Sequence, residues 1–369
     1  MPPIFSTRSD YQVWVCDTQG TRLYPINEFK ALGYALVVND VGEMSVTLNS
    51  PLSSSEIGPD YRLEIERAVN NQSAQVEGNT QWFVYRIQND WMSDGTRSQT
   101  ILARNANCIL DRRIVAYRSD SAYANITNDN ADSIMKQIVR TNYGSLATDT
   151  ARQTALSIDG DTGEGALTSM QMARQRVLDS LKQLADYSAQ QGTPLFFGMT
   201  WTGFTFQFST RKTSWGNDRR QGVGLSFVIS VDSDAVGEAS LVEDYDGERN
   251  FVYAGGEGDD TVRTVQTAED TNRSGRGPYS RIEDWVDVQS TDDAIILAGA
   301  RSAVNALKPR KTLSATLRST VGSLYGVDWN WGDFITVTAG DDSFNCRIDA
   351  VQVQVDGPNE TITAQIRSE

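Results

Sequence analysis

Two acidic pairs, Glu283 with Asp287 and Asp328 with Asp333, come nearest in type and spacing to a catalytic set. Glycoside hydrolysis needs only two carboxyl groups flanking the bond and no histidine. With 48 acidic residues among 369, however, such pairs arise by chance everywhere, and no sugar cleft is marked around them. Histidine is absent. Its absence removes Ser-His-Asp and Cys-His nucleophiles, histidine-ligated zinc and the commonest general base. Cys16, Cys108 and Cys346 are odd in number, far apart and without a C-x-x-C, so buried reduced thiols are expected. The expected sets of catalytic, cofactor-binding and metal-binding residues are therefore all empty.

Other motifs have structural readings. The DGDTGEG run hints at a calcium loop through Asp159, Asp161 and Glu164, but Gly163 stands where an EF-hand needs Asp or Asn and Met170 where it needs Glu. A flexible acidic loop is the better expectation. Gly255, Gly256 and Gly258 bracket Glu257, but Thr261 replaces the third glycine of a dinucleotide fingerprint and no helix follows. A tight turn or bulge with positive φ is expected there. Trp329 and Trp331 could stack on sugars, but a barrel end or subunit interface is the preferred reading.

A net charge of −15 argues against nonspecific nucleic-acid binding, which requires a basic stripe. Arg211, Lys212, Arg219 and Arg220 are too few for one and read as a solvated hairpin end. No apolar run approaches the ~20 residues of a membrane helix, and no charged-then-apolar leader opens the sequence. Synthesis and folding in a cytoplasm, without membrane insertion by this chain, are expected.

The length suits two or three domains. Residues 11–48 alternate as strands around Val13, Val15, Val37, Met44, Val46 and Leu48, and 61–68, 82–89, 97–104 and 108–115 continue the β pattern. Asn128 to Asn130 can cap a helix bearing Ile134 and Ile138, stopped by Gly144. A second helix is expected over about 167–191, stopped by Gly192, followed by a hairpin from Phe197 to Phe208 turning at Thr202-Gly203. Strands at 223–231, 312–317, 334–338, 345–355 and 360–366 and a helix at 292–308 before Pro309 complete the chain. The fold class is mainly β with an α+β insertion: a first β-barrel domain at 1–117, the insertion at 118–217, and a second β-barrel domain at 218–369.

The order of motifs resembles one family. NDVGEMSVTLNSP, NFVYAGGEG, Arg281-Ile-Glu with Trp285-Val-Asp, one helix, and Gly326-Val-Asp-Trp leading to Gly332-Asp-Phe-Ile-Thr-Val follow the pattern of baseplate hub proteins of long-tailed, siphophage-type bacteriophages. The resemblance implies two related antiparallel β-barrel domains of the hub and tail-tube kind, no enzymatic activity and no cofactor. It implies a homotrimeric ring at the virion tail tip that adapts a sixfold tube to a threefold tip and encloses the DNA ejection channel. Implied partners are a distal tail protein or tail tube above, and tail-tip, fibre or tape-measure proteins below and within. DNA would traverse the lumen without specific binding, and part of the −15 charge would line it and repel phosphates. The alternatives are a tail-associated cell-wall hydrolase using a carboxylate pair, or a carbohydrate-binding receptor protein using Trp329 and Trp331.

Overall fold

A computed structural model describes residues 9–26, 28–70, 72–116, 124–172, 174–258 and 263–368. They divide into two compact units, one of 1–239 with 315–369 and one of 240–314.

The first unit opens with β1 (Ser9–Cys16), β2 (Arg22–Ile26), β3 (Ala31–Val37), β4 (Glu43–Leu48), β5 (Arg62–Val69), β6 (Gln75–Val76), β7 (Trp82–Trp91) and β8 (Arg97–Arg104). Strict alternation sends Val13, Val15, Leu32, Leu36, Val46, Leu63, Ile65 and Ile101 into one core, all fully buried. A helical turn, α1 (Cys108–Asp111), then occupies the region expected to be strand. Asn107 explains the change: its side chain donates to Asp40 O at 2.7 Å and accepts Met199 N at 2.8 Å, bending the chain out of the ladder. Ile114, an expected core residue, is exposed there.

Next come β9 (Ala124–Asn130), α2 (Ala131–Asn142), β10 (Leu156–Ile158), β11 (Leu167–Met172), α3 (Val177–Gln190), β12 (Leu195–Trp201) and β13 (Phe206–Lys212). Residues 167–172, expected to begin a helix, pair antiparallel with β9, and helical periodicity starts only at Val177. Asn130 holds the N-cap position of α2 without a side-chain bond; Ala166 O and Glu164 O accept the first helical N–H groups instead. Gly192, at φ +76°, ends α3 as expected. Ile134, Ile138, Val177, Leu181, Phe197 and Phe208 form a core continuous with Phe83, Ala106 and Leu110. The insertion is thus packed into the first β region, with only Phe204 exposed at the hairpin tip among its expected phenylalanine stripe.

The chain continues through β14 (Val228–Ser230), shorter than the expected 223–231 strand, and leaves this unit along β15 (Val236–Asp244). In the second unit β16 (Phe251–Gly255), β17 (Val265–Glu269) and β18 (Glu283–Asp287) form a sheet in the order β17-β16-β18. The short helix α4 (Thr271–Ser274) lies between β17 and β18. Helix α5 (Asp293–Ala306) is capped by Asp292, which accepts Ala294 N at 2.8 Å. It buries Ile296 and Ala300 against Ala254, Val286 and Val288.

The return strand β19 (Arg310–Arg318) leads to β20 (Phe334–Ala339), β21 (Asp342–Asp356) and β22 (Asn359–Ser368). Here the N- and C-terminal β regions become one sheet. Strand β21 pairs antiparallel with β3, Val355 opposite Leu32, Val353 opposite Tyr34 and Val351 opposite Leu36. Among the described residues the order runs β15-β19-β22-β21-β3-β4-β8-β7-β5-β1-β2, with β20 also on β21 and β14 on β20.

Candidate functional site

The alternation of β5 contains an anomaly. Arg67 falls in the inward phase of Leu63, Ile65 and Val69, and it is 6% exposed. A buried guanidinium is tolerated only when its charge and donors are met. Arg67 Nε donates to Tyr11 Oη at 3.1 Å and Nη1 to Tyr325 O at 3.2 Å, and the guanidinium lies 4.6 Å over the Tyr325 ring. Glu77 and Glu360 supply negative charge, each with a carboxylate oxygen 3.9 Å from Nε. Glu77 accepts Tyr34 Oη at 3.0 Å and Tyr325 Oη at 2.6 Å; Glu360 accepts Tyr11 Oη and, at 3.0 Å, Ser9 N. Burial drives all three tyrosine hydroxyls well above their ordinary pKa, so they remain O–H donors. The cluster is closed on itself and ties β1, β5 and the turn at 77–79 to Tyr325 and β22.

Beside it lies a polar cavity of about 350 Å³, bounded by Arg67, Glu77, Arg211, Trp215, Trp331 and Asp333. Asp333 is fully buried, pairs with Arg219 at 2.9 Å and accepts Asn217 N at 2.7 Å and Asn330 N at 2.8 Å. Burial raises its pKa despite these partners. Asp328 has a separate task, accepting Leu324 N at 2.7 Å within the turn. The two therefore hold backbone rather than face a shared substrate. In the second unit Glu283 pairs with Arg281, and Asp287 with Arg263 and Trp285 Nε1, on the exposed strand β18. Asp333 borders the polar cavity without Asp328, so this pair does not face one space together.

Trp329 is fully buried, packs its ring 5.1 Å from that of Tyr325 in a tilted contact and donates Nε1 to Ser323 Oγ at 3.0 Å. It is a core anchor of the turn, neither an exposed interface residue nor a sugar platform. Trp331 is half-buried, with its ring 6.1 Å from that of Trp215.

The acidic loop is tethered rather than flexible. Asp132 of α2, itself buried, accepts Thr162 N at 2.7 Å, Thr162 Oγ1, Gly163 N and Thr210 Oγ1, and pairs with buried Lys136 at 2.7 Å. Lys136 Nζ also donates to Gly160 O at 2.6 Å. The candidate calcium ligands are engaged separately: Asp159 by Gln207, Asp161 by Arg140 and Glu164 by Lys212. The four basic residues expected at a solvated hairpin end are divided likewise. Arg211 lies over Trp215, Lys212 pairs with Glu164, Arg219 with Asp333 and Arg220 with Asp218.

The glycine cluster serves close approach more than positive φ. A Cβ on Gly255 would meet Trp285 at 2.3 Å, and one on Gly256 would meet Ile296 at 2.5 Å and Ser290 O at 2.6 Å. Only Gly258 of the three has positive φ, +120°.

The family model for the siphovirus ReqiPepy6 Gp37-like protein matches residues 12–366. The chain belongs to this family. No curated protein matches it. Its fold is that of solved tail proteins. The tail protein from Neisseria meningitidis MC58 superposes with a TM-score of 0.54 at 12% identity, covering 97% of this chain and 96% of that one. The prophage MuSo2 43 kDa tail protein from Shewanella oneidensis gives 0.51 at 12% identity, covering 97% and 98%. Prophage tail protein gp18 from Listeria monocytogenes EGD-e gives 0.51 at 11% identity, covering 96% and 94%. The resemblance to siphophage tail and baseplate proteins, and the mainly β fold class, are borne out. In this family member the buried polar cluster and the Asp333 turn are the features that sequence reasoning missed. The inward phase of Arg67 was the signal available for the first.

Proposed function

We propose that the chain is the structural hub of a siphophage tail tip. Three copies form a ring that adapts the sixfold tube to the threefold tip and encloses the ejection channel. The observation carrying this reading is the β21–β3 register, which joins the two terminal β regions into one sheet. A rigid ring wall requires such continuity, because a flexible linker would let the two halves move independently. The two regions, 1–117 and 218–369 with the unit at 240–314 interrupting the second, are taken as the two related barrels. A trimer of such protomers offers six similar contacts to the tube and three to the tip. The partners are the tube or distal tail protein above and tip, fibre or tape-measure proteins below and within. No catalytic step is assigned, since the acidic residues considered for one are engaged in holding backbone and arginines.

Native mass and negative-stain microscopy of the purified protein test this. A threefold ring with a central hole, three chains of 40.7 kDa and about 122 kDa in all, is expected. A monomer that remains monomeric when mixed with its tail partners would overturn the reading.

A further inference from the structure

The polar cavity beside Arg67 is lined by residues of the first unit alone, and its charges are already balanced. Four charged side chains border it, Arg67 and Arg211 against Glu77 and Asp333. Arg67 is met by Glu77 and Glu360, and Asp333 by Arg219. Arg211 donates to Trp215 O at 2.6 Å and lies over the Trp215 ring. An anionic ligand would find no uncommitted cation here, and a cationic one no uncommitted carboxylate.

The groups left over are neutral. Gln72 comes from the loop joining β5 to β7, Asn217 from the segment after β13, and Asn330 from the Trp-rich turn. Asn217 and Asn330 engage Asp333 through backbone N–H groups, which leaves both carboxamides without partners among the described residues. A carboxamide offers a donor and an acceptor together. The aromatic wall is Trp331, because Trp215 is buried, with Gly198 packed against its ring and Arg211 over it. Trp14, Trp285 and Trp329 each anchor the indole nitrogen on an oxygen. Trp331 Nε1 is buried with no acceptor among the described residues. An unpaired buried donor is costly, and a ligand oxygen met by a small turn of this half-buried ring relieves the cost.

We infer that this cavity is a subsite for a neutral saccharide. A pyranose ring has an apolar C–H face that packs on an indole, and its hydroxyls, like carboxamides, both donate and accept. The volume of about 350 Å³ stands at the low end for ligand pockets and gives room for about one or two such rings. A nucleotide fits poorly, since its phosphate calls for an uncommitted cation or a row of backbone N–H groups. The assignment goes beyond the hub reading and holds whether or not a ring assembles.

Ligand-observed NMR on the full-length protein tests it, with the methyl glycosides of glucose, galactose, mannose and N-acetylglucosamine as probes. At least one should bind saturably at millimolar concentration, and glucuronic acid and glucosamine should bind no better. Gln72→Ala and Asn217→Ala, both at exposed positions, should fold as the parent does and weaken binding about three- to tenfold each. Trp331→Phe keeps a ring but removes the unpaired N–H, so it should leave the melting temperature unchanged or raised while weakening binding by a similar factor. Binding unaltered in all three variants would put the sugar elsewhere and overturn the assignment. Binding of none of the four glycosides, or tighter binding of either charged sugar, would overturn it as well. The titration requires no ring, so a negative result here is separate from failure of the hub reading.

Discussion

Tyr325 donates its hydroxyl to Glu77 at 2.6 Å, across 248 residues of sequence. Both groups are buried, so this bond fastens the Trp-rich turn to the N-terminal strands. Tyr325→Phe should lower stability by about 1–3 kcal/mol, because the buried Glu77 carboxylate loses one of its two tyrosine donors. Urea unfolding checks this. Combined with Glu77→Gln, the loss should be less than additive, as a shared partner requires.

The Asp132–Lys136 pair predicts an acid-sensitive loop. Burial alone would raise the Asp132 pKa, but hydrogen bonds from Lys136, Thr210 and Thr162 outweigh it and hold it below the ordinary 3.8. A lowered folded-state value gives stability that is full above the unfolded pKa and lost as pH falls through the folded one. Asp333 and Asp349, raised chiefly by burial, act in the opposite sense: their penalty is relieved on acidification. Asp132→Asn should therefore flatten the acid limb of a stability–pH curve, and an unchanged limb would refute the assignment. Lys136→Met, which strands the buried carboxylate, should cost about 3–5 kcal/mol at neutral pH.

Gly256→Ala should destabilise the 240–314 unit by about 1–3 kcal/mol, since its Cβ meets backbone at Ser290 as well as Ile296. Gly160→Ala, with nothing within 4 Å, should be nearly silent. Thermal unfolding of the two variants distinguishes steric contact from a general intolerance of alanine.

The three thiols offer a simple probe of integrity. Burial pushes Cys16 and Cys346 up to about 12 and Cys108 to about 11. Native protein should show no rapid reaction with a thiol reagent at pH 8, and three equivalents should react in denaturant. Fast reaction of the native chain would contradict the packing.

Much of the fold was legible because alternation and capping are local. Val13, Val15, Met44 and Val46 announced their strands, and Asp292 and Pro309 bracketed α5. The 167–172 segment was misread because helical and extended phases coincide over so short a run, and only β9 decides between them. The role of Gly255 depends on Trp285, thirty positions away, so no local rule distinguishes close approach from positive φ. Trp329 looked like a surface residue because its burial is supplied by Tyr325 and Ser323 within a folded turn. The polar cluster was least visible: Arg67 showed its wrong phase, but two of its partners, Tyr325 and Glu360, lie far downstream in sequence.

That distance sets a timetable. Tyr11 and Glu360 are 349 positions apart. At about 5–20 residues per second, β3 emerges roughly 15–70 seconds before β21 can cover it. For that interval Leu32, Tyr34 and Leu36 lie on an unpaired edge, a template for wrong strand partners. The nascent chain thus has its greatest exposure to aggregation before its last strands exist, and its yield in a host depends on how that edge is guarded during synthesis.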